Sequence, residues 1–224
     1  MSQKNKTPFK ASEYDLNVRK VIPMYDIIYD QIFDLIKTVF PNEKISLLDT
    51  GCGTGTFALK ALDSLDIQRL VLCDPSENML SDAKTKLAGK TCEFFGIGSQ
   101  DLKFEEEFDA VTAIQSHHYF DRETREKAVA NCFRTLRKGG IFIYFENTAP
   151  LTGIGKQNLL KRLGDYQLSE GRSPEEVKSH LARYNSEYFP INIKEHLQML
   201  EKTGFSACEI FWQSYMQCGF FAVK

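Results

Sequence analysis

Two groups of residues in this chain are spaced for chemistry. Asp49-Thr50-Gly51-Cys52-Gly53-Thr54-Gly55 follows the apolar positions Ile45, Leu47 and Leu48 and precedes Phe57-Ala58-Leu59-Lys60-Ala61-Leu62, the start of an amphipathic helix. The glycines therefore fall on a strand-to-helix turn. There a missing Cβ lets backbone approach a ligand, and the helix N-terminus offers unpaired N–H groups. Asp74 ends a second apolar run, Leu70-Val71-Leu72-Cys73. A carboxylate about 20 residues past such a turn can accept both ribose hydroxyl hydrogens of an adenosine cofactor. Helix capping is its simpler role. The second group is His117 and His118, which follow a later apolar run. Histidine titrates near neutrality, so either ring could take a proton from a bound substrate, His118 being preferred; packing or a backbone bond is the competing role.

The elements that must position these groups alternate. A helix from about Pro23 to Phe40 shows one apolar face (Tyr25, Ile28, Tyr29, Ile32, Leu35, Ile36), with Pro23 in its first turn and Pro41 at its end. Before it, Tyr14 to Arg19 reads as a shorter helix or an ordered arm, and residues 1–12 as a frayed terminus. From Ile45 onward the rhythm is strand–helix–strand. Ser76 caps a helix carrying Met79, and Cys92 to Ile97 is a third strand, with Ser99 and Gln100 in the loop at its end. Phe108 to Ile114 is a fourth strand, followed by a helix from Arg122 to Arg137 that Gly139-Gly140 stops and a fifth strand, Ile141 to Phe145. Strands alternating with helices imply parallel βαβ units whose ligands bind at the carboxyl ends of the strands.

After Glu146 the rhythm breaks. Helical patterns over Asn158–Leu168 and Ser173–Tyr184 suggest a cap, the second opened by the capping box Ser173-Pro174-Glu175-Glu176. A last helix, Asn192 to Thr203, precedes strands Ser206–Trp212 and Tyr215–Val223, whose link of Gln213-Ser214 demands an antiparallel pair. The expected fold is α/β: a Rossmann-like, doubly wound, seven-stranded, mostly parallel sheet with a C-terminal antiparallel hairpin. The organisation is one domain over 1–224: an N-terminal helical lid (1–40), a cofactor-binding core (41–147), a helical cap (148–190), and the final helix and hairpin (191–224).

With 224 residues, 42% hydrophobic and 26% charged, and a formal charge of −2, the composition is that of an ordinary globular domain with no electrostatic footprint for nucleic acid. No apolar run is long enough to span a membrane and no secretory leader is seen, so a cytoplasmic location is expected. The six cysteines are scattered without a C-x-x-C pair, which favours buried free thiols and disfavours a metal site.

The glycine spacing is G-x-G-x-G with Thr56 at the sixth position, whereas a dinucleotide fingerprint wants G-x-G-x-x-G. With the acidic residue two positions ahead, the motif resembles that of class I S-adenosyl-L-methionine (SAM)-dependent methyltransferases, and the order of motifs resembles that family over nearly the whole chain. The resemblance implies SAM as cofactor and S-adenosyl-L-homocysteine as product. It also implies that Asp49 and Gly51-Cys52-Gly53 line the methionine end, that Asp74 holds the ribose, and that Pro75 and Met79 pack near adenine. The family's adenine-binding aspartate after the third strand falls here on Gly98, leaving Ser99 and Gln100 to serve. Ile22-Pro23-Met24-Tyr25 and the tail Leu200–Lys224 are similar to the carboxy-S-adenosylmethionine synthase branch, which suggests cofactor contacts from Tyr25 and Gln115. That branch's carboxylate-pairing arginine falls here on Met199, beside Gln198. A neutral side chain cannot supply a bidentate charged pair, so plain SAM and methyl transfer are expected.

Tyr14 and Arg19 are further cofactor candidates, Arg19 toward the cofactor carboxylate or, equally, in a surface ion pair. Tyr119 and Tyr144 are weaker acceptor-side candidates than core aromatics. The expected partner is a small-molecule methyl acceptor met by a monomer or homodimer. Rival readings are a SAM-binding sensor without catalysis, a carboxy-SAM-related tRNA-modification enzyme, and a nicotinamide-dependent reductase, the last opposed by Thr56 and the closing hairpin.

Overall fold

A computed structural model describes residues 11–224. The expected frayed terminus over 1–12 and the start of the lid fall mostly outside the described residues. Seven strands form one sheet in the order β3-β2-β1-β4-β5-β7-β6. They are β1 (Ile45–Thr50), β2 (Ile67–Cys73), β3 (Glu93–Phe95), β4 (Phe108–Ile114), β5 (Leu136–Asn147), β6 (Ala207–Ser214) and β7 (Gln217–Val223). The first five are mutually parallel, while β7 runs antiparallel to both β5 and β6. The strand count, the parallel strands and the antiparallel closing hairpin are those expected from the sequence.

Both faces of the sheet are covered, which is why its central strands read as nearly continuous apolar runs. Successive residues supply two separate cores. Leu47, Leu70, Leu72, Ile141, Ile143 and Phe145 face the side packed by α2 (Tyr25–Val39), α3 (Thr56–Ser64) and α4 (Glu77–Lys86). Leu48, Val71, Phe142, Tyr144 and Phe220 face α5 (Arg122–Thr135) and α8 (Ile193–Thr203). On that second face the Phe142, Tyr144 and Phe220 rings stack at 4.9 and 5.0 Å between centroids. Two helices lie between β5 and α8: α6 (Gly153–Ser169) and α7 (Pro174–Ala182). The capping box at Ser173/Glu176 forms as read, and Asn192/Glu195 makes a second one that opens α8.

Several boundaries differ from the sequence reading, α6 among them, which starts at Gly153 rather than Asn158. Pro23 precedes α2 rather than sitting in its first turn, because Met24 (φ 58°) takes the N-cap position. The helix α5 ends at Thr135, before the glycines. Leu136 is fully buried against the sheet and pairs with Phe108, so β5 begins there and carries Gly139-Gly140 as an irregularity tied to Lys224. The third strand shortens to three residues because it is an edge strand with only β2 beside it. The closing turn lies at Tyr215-Met216, two residues later than expected. A register shift around Phe211 extends the pairing, and Met216 is buried with its carbonyl accepting from Thr148 N–H.

The first helix, α1 (Ala11–Asn17), continues into a 3-10 turn, Val18–Lys20. It is held to the glycine turn by side chains. The Asp15 carboxylate accepts from the hydroxyls of Thr54 and Thr56 and from Lys86 Nζ on α4.

The turn itself holds three left-handed glycines, Gly51, Gly53 and Gly55 (φ +76° at the last). Gly51 (φ +73°) passes so close to the loop after β4 that a Cβ would lie 2.5 Å from Ser116 Cβ. At Gly53 (φ +55°) a Cβ would meet nothing within 4 Å. Gly53→Ala is expected to lose about 1–2 kcal/mol of stability for the left-handed backbone alone. Gly51→Ala adds a clash that must displace Ser116, for a total loss of about 2–4 kcal/mol. Urea unfolding of the two variants measures the difference.

Candidate functional site

The polar residues singled out in the sequence collect at the carboxyl end of the parallel strands, as expected for an open α/β sheet. At the end of β2, Asp74 accepts from Gly53 N–H (2.9 Å) through one carboxylate oxygen and from Ser76 N–H (2.8 Å) through the other. It is thus a strut joining the glycine turn to the start of α4, where Ser76 caps Met79 N–H. Burial pushes its pKa up, and these two N–H groups oppose the rise. A carboxylate has roughly four lone-pair sites, so acceptor capacity remains for hydroxyl hydrogens.

Asp49 ends β1 in a drier setting. One oxygen accepts from Thr112 Oγ1 (2.8 Å), and the other is buried without a partner. Burial raises its pKa to about 7; the Thr112 bond works against the rise, and the Asp74 charge adds to it. A buried half-satisfied carboxyl at the bottom of a turn is a natural place for a cationic ligand group.

Three adjoining cavities lie here. An outer cleft of about 110 Å³ is walled by Gly51, Gly53, Asp74, Pro75 and Met79 on one side. Ser99, Gln115, Ser116 and Tyr119 wall its other side. A chamber of about 40 Å³ under the glycine turn brings together Tyr25, Asp49 and Cys52. The Tyr25 hydroxyl bonds that of Tyr29, and Tyr14 bonds Tyr25. An inner cavity of about 40 Å³ lies among Gln115, His118, Tyr119, Asn147, Arg183 and Gln217. Tyr14 walls all three.

Three expected site residues are not brought to these cavities. The Arg19 guanidinium pairs with Asp26 (2.7 Å) on the surface, the alternative already weighed for it. Gln100 turns its amide to Asp101 rather than into the outer cleft. His117 is fully buried, its Nε2 on Ser99 Oγ (2.8 Å), with Thr50 Oγ1 on the same hydroxyl. Burial holds its pKa down to about 4 against the pull of Glu146. Tyr144 is likewise a core ring, its hydroxyl on His196 Nδ1. Met199 packs into the α8-side core and, with Gln198, borders a separate surface hollow beside α5.

His118 lines the inner cavity, and its Nδ1 lies 2.8 Å from Glu146 Oε2. Glu146, near the end of β5, also accepts the backbone N–H groups of His117 (2.9 Å) and His118 (2.7 Å). Burial would raise this carboxyl, but the His118 ring and the N–H groups bring it down to about 2. An ionised carboxylate is acceptor-only, so Nδ1 carries a proton and donates it to Glu146. Glu146 escaped the sequence reading. Its signal was an acidic residue closing a buried apolar run, the same signature as Asp49 and Asp74. Asn147, Arg183 and Gln217 were also missed, since nothing local marks them.

Among the described residues no helix is long and apolar enough to cross a membrane, and no group of three or more His, Cys, Asp or Glu side chains could hold a metal ion.

Residues 47–140 match the family model described as a methyltransferase domain. The chain is 27% identical over 217 residues to the carboxy-S-adenosyl-L-methionine synthase of Staphylococcus epidermidis, covering 96% of this chain and 93% of that one. It is 23% identical over 215 residues to the enzyme of the same name from Nautilia profundicola, covering 96% and 92%. Among solved structures, magnesium protoporphyrin IX methyltransferase from Synechocystis with bound S-adenosyl-homocysteine superposes with a TM-score of 0.66 at 16% identity, over 96% of both chains. At that identity the likeness is one of fold.

Two groups set the acid stability of the site. Glu146 has a folded pKa of about 2, below its ordinary 4.5, so its stabilisation is present above 4.5 and lost as pH falls toward 2. His117 refuses a proton until about 4, whereas the unfolded ring takes one near 6.5, so stability is also lost below 6.5. Denaturation midpoints measured at descending pH are expected to fall across both windows. Glu146→Gln lowers the neutral plateau and removes the loss below about pH 4.5.

Proposed function

We propose, from the match of residues 47–140 to the methyltransferase-domain model, that the chain transfers the sulfonium methyl of SAM to a small-molecule acceptor. Adenosine would lie in the outer cleft, with its ribose on Asp74 and its adenine between Pro75 and Met79. The methionine end would lie over Asp49, Gly51 and Cys52. The observation that supports this most directly is that the outer cleft and the inner cavity share Tyr14, Gln115 and Tyr119 as walls. Methyl transfer needs such a meeting of donor and acceptor. It is an in-line displacement in which the enzyme chiefly aligns the partners and excludes water. Where the acceptor loses a proton, His118 Nε2, backed by Glu146, would be the base. His117, locked on Ser99, would serve by packing.

A second reading has its own support. The relatives described above, which match nearly the full chain, bear the name carboxy-SAM synthase. Against it stands the expectation that the arginine of that branch falls here on Met199. Mass spectrometry of the nucleoside product separates the two: S-adenosyl-homocysteine for methyl transfer, or a SAM derivative heavier by one CO2. A sensor without catalysis would release neither.

Calorimetric titration of SAM and of NAD tests the reading. SAM is expected to bind in the micromolar range and NAD not. Asp74→Ala should weaken SAM by about 1–3 kcal/mol, for charged hydrogen bonds lost. Asp49, with its pKa raised to about 7, holds a proton in the free protein at pH 6 and should give it up to the cationic ligand. Titrations at pH 6 in buffers of different ionisation enthalpy should show proton release that fades above pH 7 and is absent in Asp49→Asn. Absence of SAM binding by the folded protein would sink the proposal.

A further inference from the structure

One wall of the inner cavity is a chain of side-chain amides. Gln115 lies just past the end of β4, Asn147 closes β5 and Gln217 opens β7. Asn147 Nδ2 donates to Gln115 Oε1 (3.0 Å), and Gln217 Nε2 donates to Asn147 Oδ1 (2.9 Å). One donor, Gln115 Nε2, and one acceptor, Gln217 Oε1, are left buried without partners at the two ends. The residues that carry them are 9% and 1% exposed, and both line the cavity. Amides linked head to tail always end in one donor and one acceptor; reversing all three exchanges the ends and changes nothing else. A buried polar group without a partner marks the place of a missing one, and here two of opposite kind are tied into a single wall.

The charges around this wall are already engaged with one another. The Arg183 guanidinium is met by Glu187 Oε2 (2.7 Å) and by the Tyr119 hydroxyl. Glu146, behind the His118 ring, is met by that ring and by the N–H groups of His117 and His118, and its charge also acts on Arg125. His180, in the same wall, is kept neutral: burial and the neighbouring Arg172 and Arg183 hold its pKa down to about 3. Val18, Val21, Ile22 and Leu163 make the rest of the lining apolar. An anion or a cation entering would shed its water and find every opposite charge taken. A neutral group that accepts at one point and donates at another satisfies both ends of the amide chain. The volume of about 40 Å³ admits a head of about three or four heavy atoms, not a whole acceptor.

We infer that the inner cavity is a subsite for a neutral carboxamide-type group, with one carbonyl and one N–H on a small head, and that the methyl acceptor carries such a group. This rests on the methyl-transfer reading above and names the acceptor class. The ligand carbonyl accepts from Gln115 Nε2, and the ligand N–H donates to Gln217 Oε1. With the three amides reversed, the same group fits turned over. A carboxylate or a ketone only accepts and an ammonium only donates, so each leaves one end of the chain stranded. Gln115 walls the outer cleft as well, whereas Gln217 walls only the inner cavity, so the carboxamide is anchored on the acceptor side of the shared wall.

The test uses probes of one shape and different polarity on the protein saturated with S-adenosyl-homocysteine. Acetamide supplies a donor and an acceptor, acetone an acceptor alone, acetate an anion and acetamidinium a cation. Each is titrated at constant pH and ionic strength while the side-chain amide NMR signals are followed, assigned through Gln115→Met and Gln217→Met. Acetamide is expected to shift the Gln115 and Gln217 signals together, with an affinity at least about tenfold above that of each other probe. In Gln217→Met, acetamide should fall to the affinity of acetone while S-adenosyl-homocysteine still binds. Should that variant not fold, the ranking of the probes on the unaltered protein decides alone. Acetone, acetate or acetamidinium binding as tightly as acetamide, or no probe moving these signals, overturns the inference. If S-adenosyl-homocysteine itself fails to bind, the cofactor reading falls separately, and the same ranking is applied to the free protein.

Discussion

A carboxylate sealed from water must be surrounded by donors or give up its charge, and the arrangement around Glu146 answers to that constraint. Its side chain is fully buried, and the donors it needs come from the loop after β4: backbone N–H groups of His117 and His118 and the His118 ring. The loop is therefore wrapped onto the end of β5. That wrapping sets the His118 ring with Nδ1 on Glu146, and the same loop carries Gln115 in its left-handed conformation. Arg125 ties the other side down, donating to the carbonyls of His117, Phe120 and Phe189. Replacing Glu146 by an apolar residue would strand those N–H groups, so the site's geometry and its electrostatics rest on one side chain.

Three strands end in an acid, and each acid meets a different environment. Asp74 shares its charge between two backbone N–H groups, Glu146 is brought down to about 2 by its neighbours, and Asp49 is left with one bare oxygen at about 7. The same residue type thus gives a strut, a fixed anion and a switchable carboxyl. Only the switchable one can change charge near neutrality when a cation arrives.

The glycine turn, Asp74, Pro75 and Met79 were legible because their signal is local: an apolar run, a turn and a cap within a few residues. The parallel strands and the antiparallel hairpin followed from strand–helix alternation and a two-residue link. Side-chain direction was not legible. Nothing in the sequence distinguishes His117, turned into the core toward Ser99, from His118, turned to the cavity. Arg19 found a nearer carboxylate in Asp26. The inner cavity could not be read at all, because residues 115, 147, 183 and 217 meet only after the chain has folded. Helix α5 ended early because burying Leu136 outweighed the expectation that Gly139-Gly140 would stop it.

Tyr14 belongs to a helix that no strand ladder anchors; Asp15, held by Lys86 and two threonine hydroxyls, does much of that work. Since Tyr14 walls all three cavities, displacing α1 would open all three at once. Side-chain tethers of this kind are partly exposed to solvent and weaken with salt. An ionic strength that loosened these tethers would therefore act on all three chambers together, without touching the residues inside them.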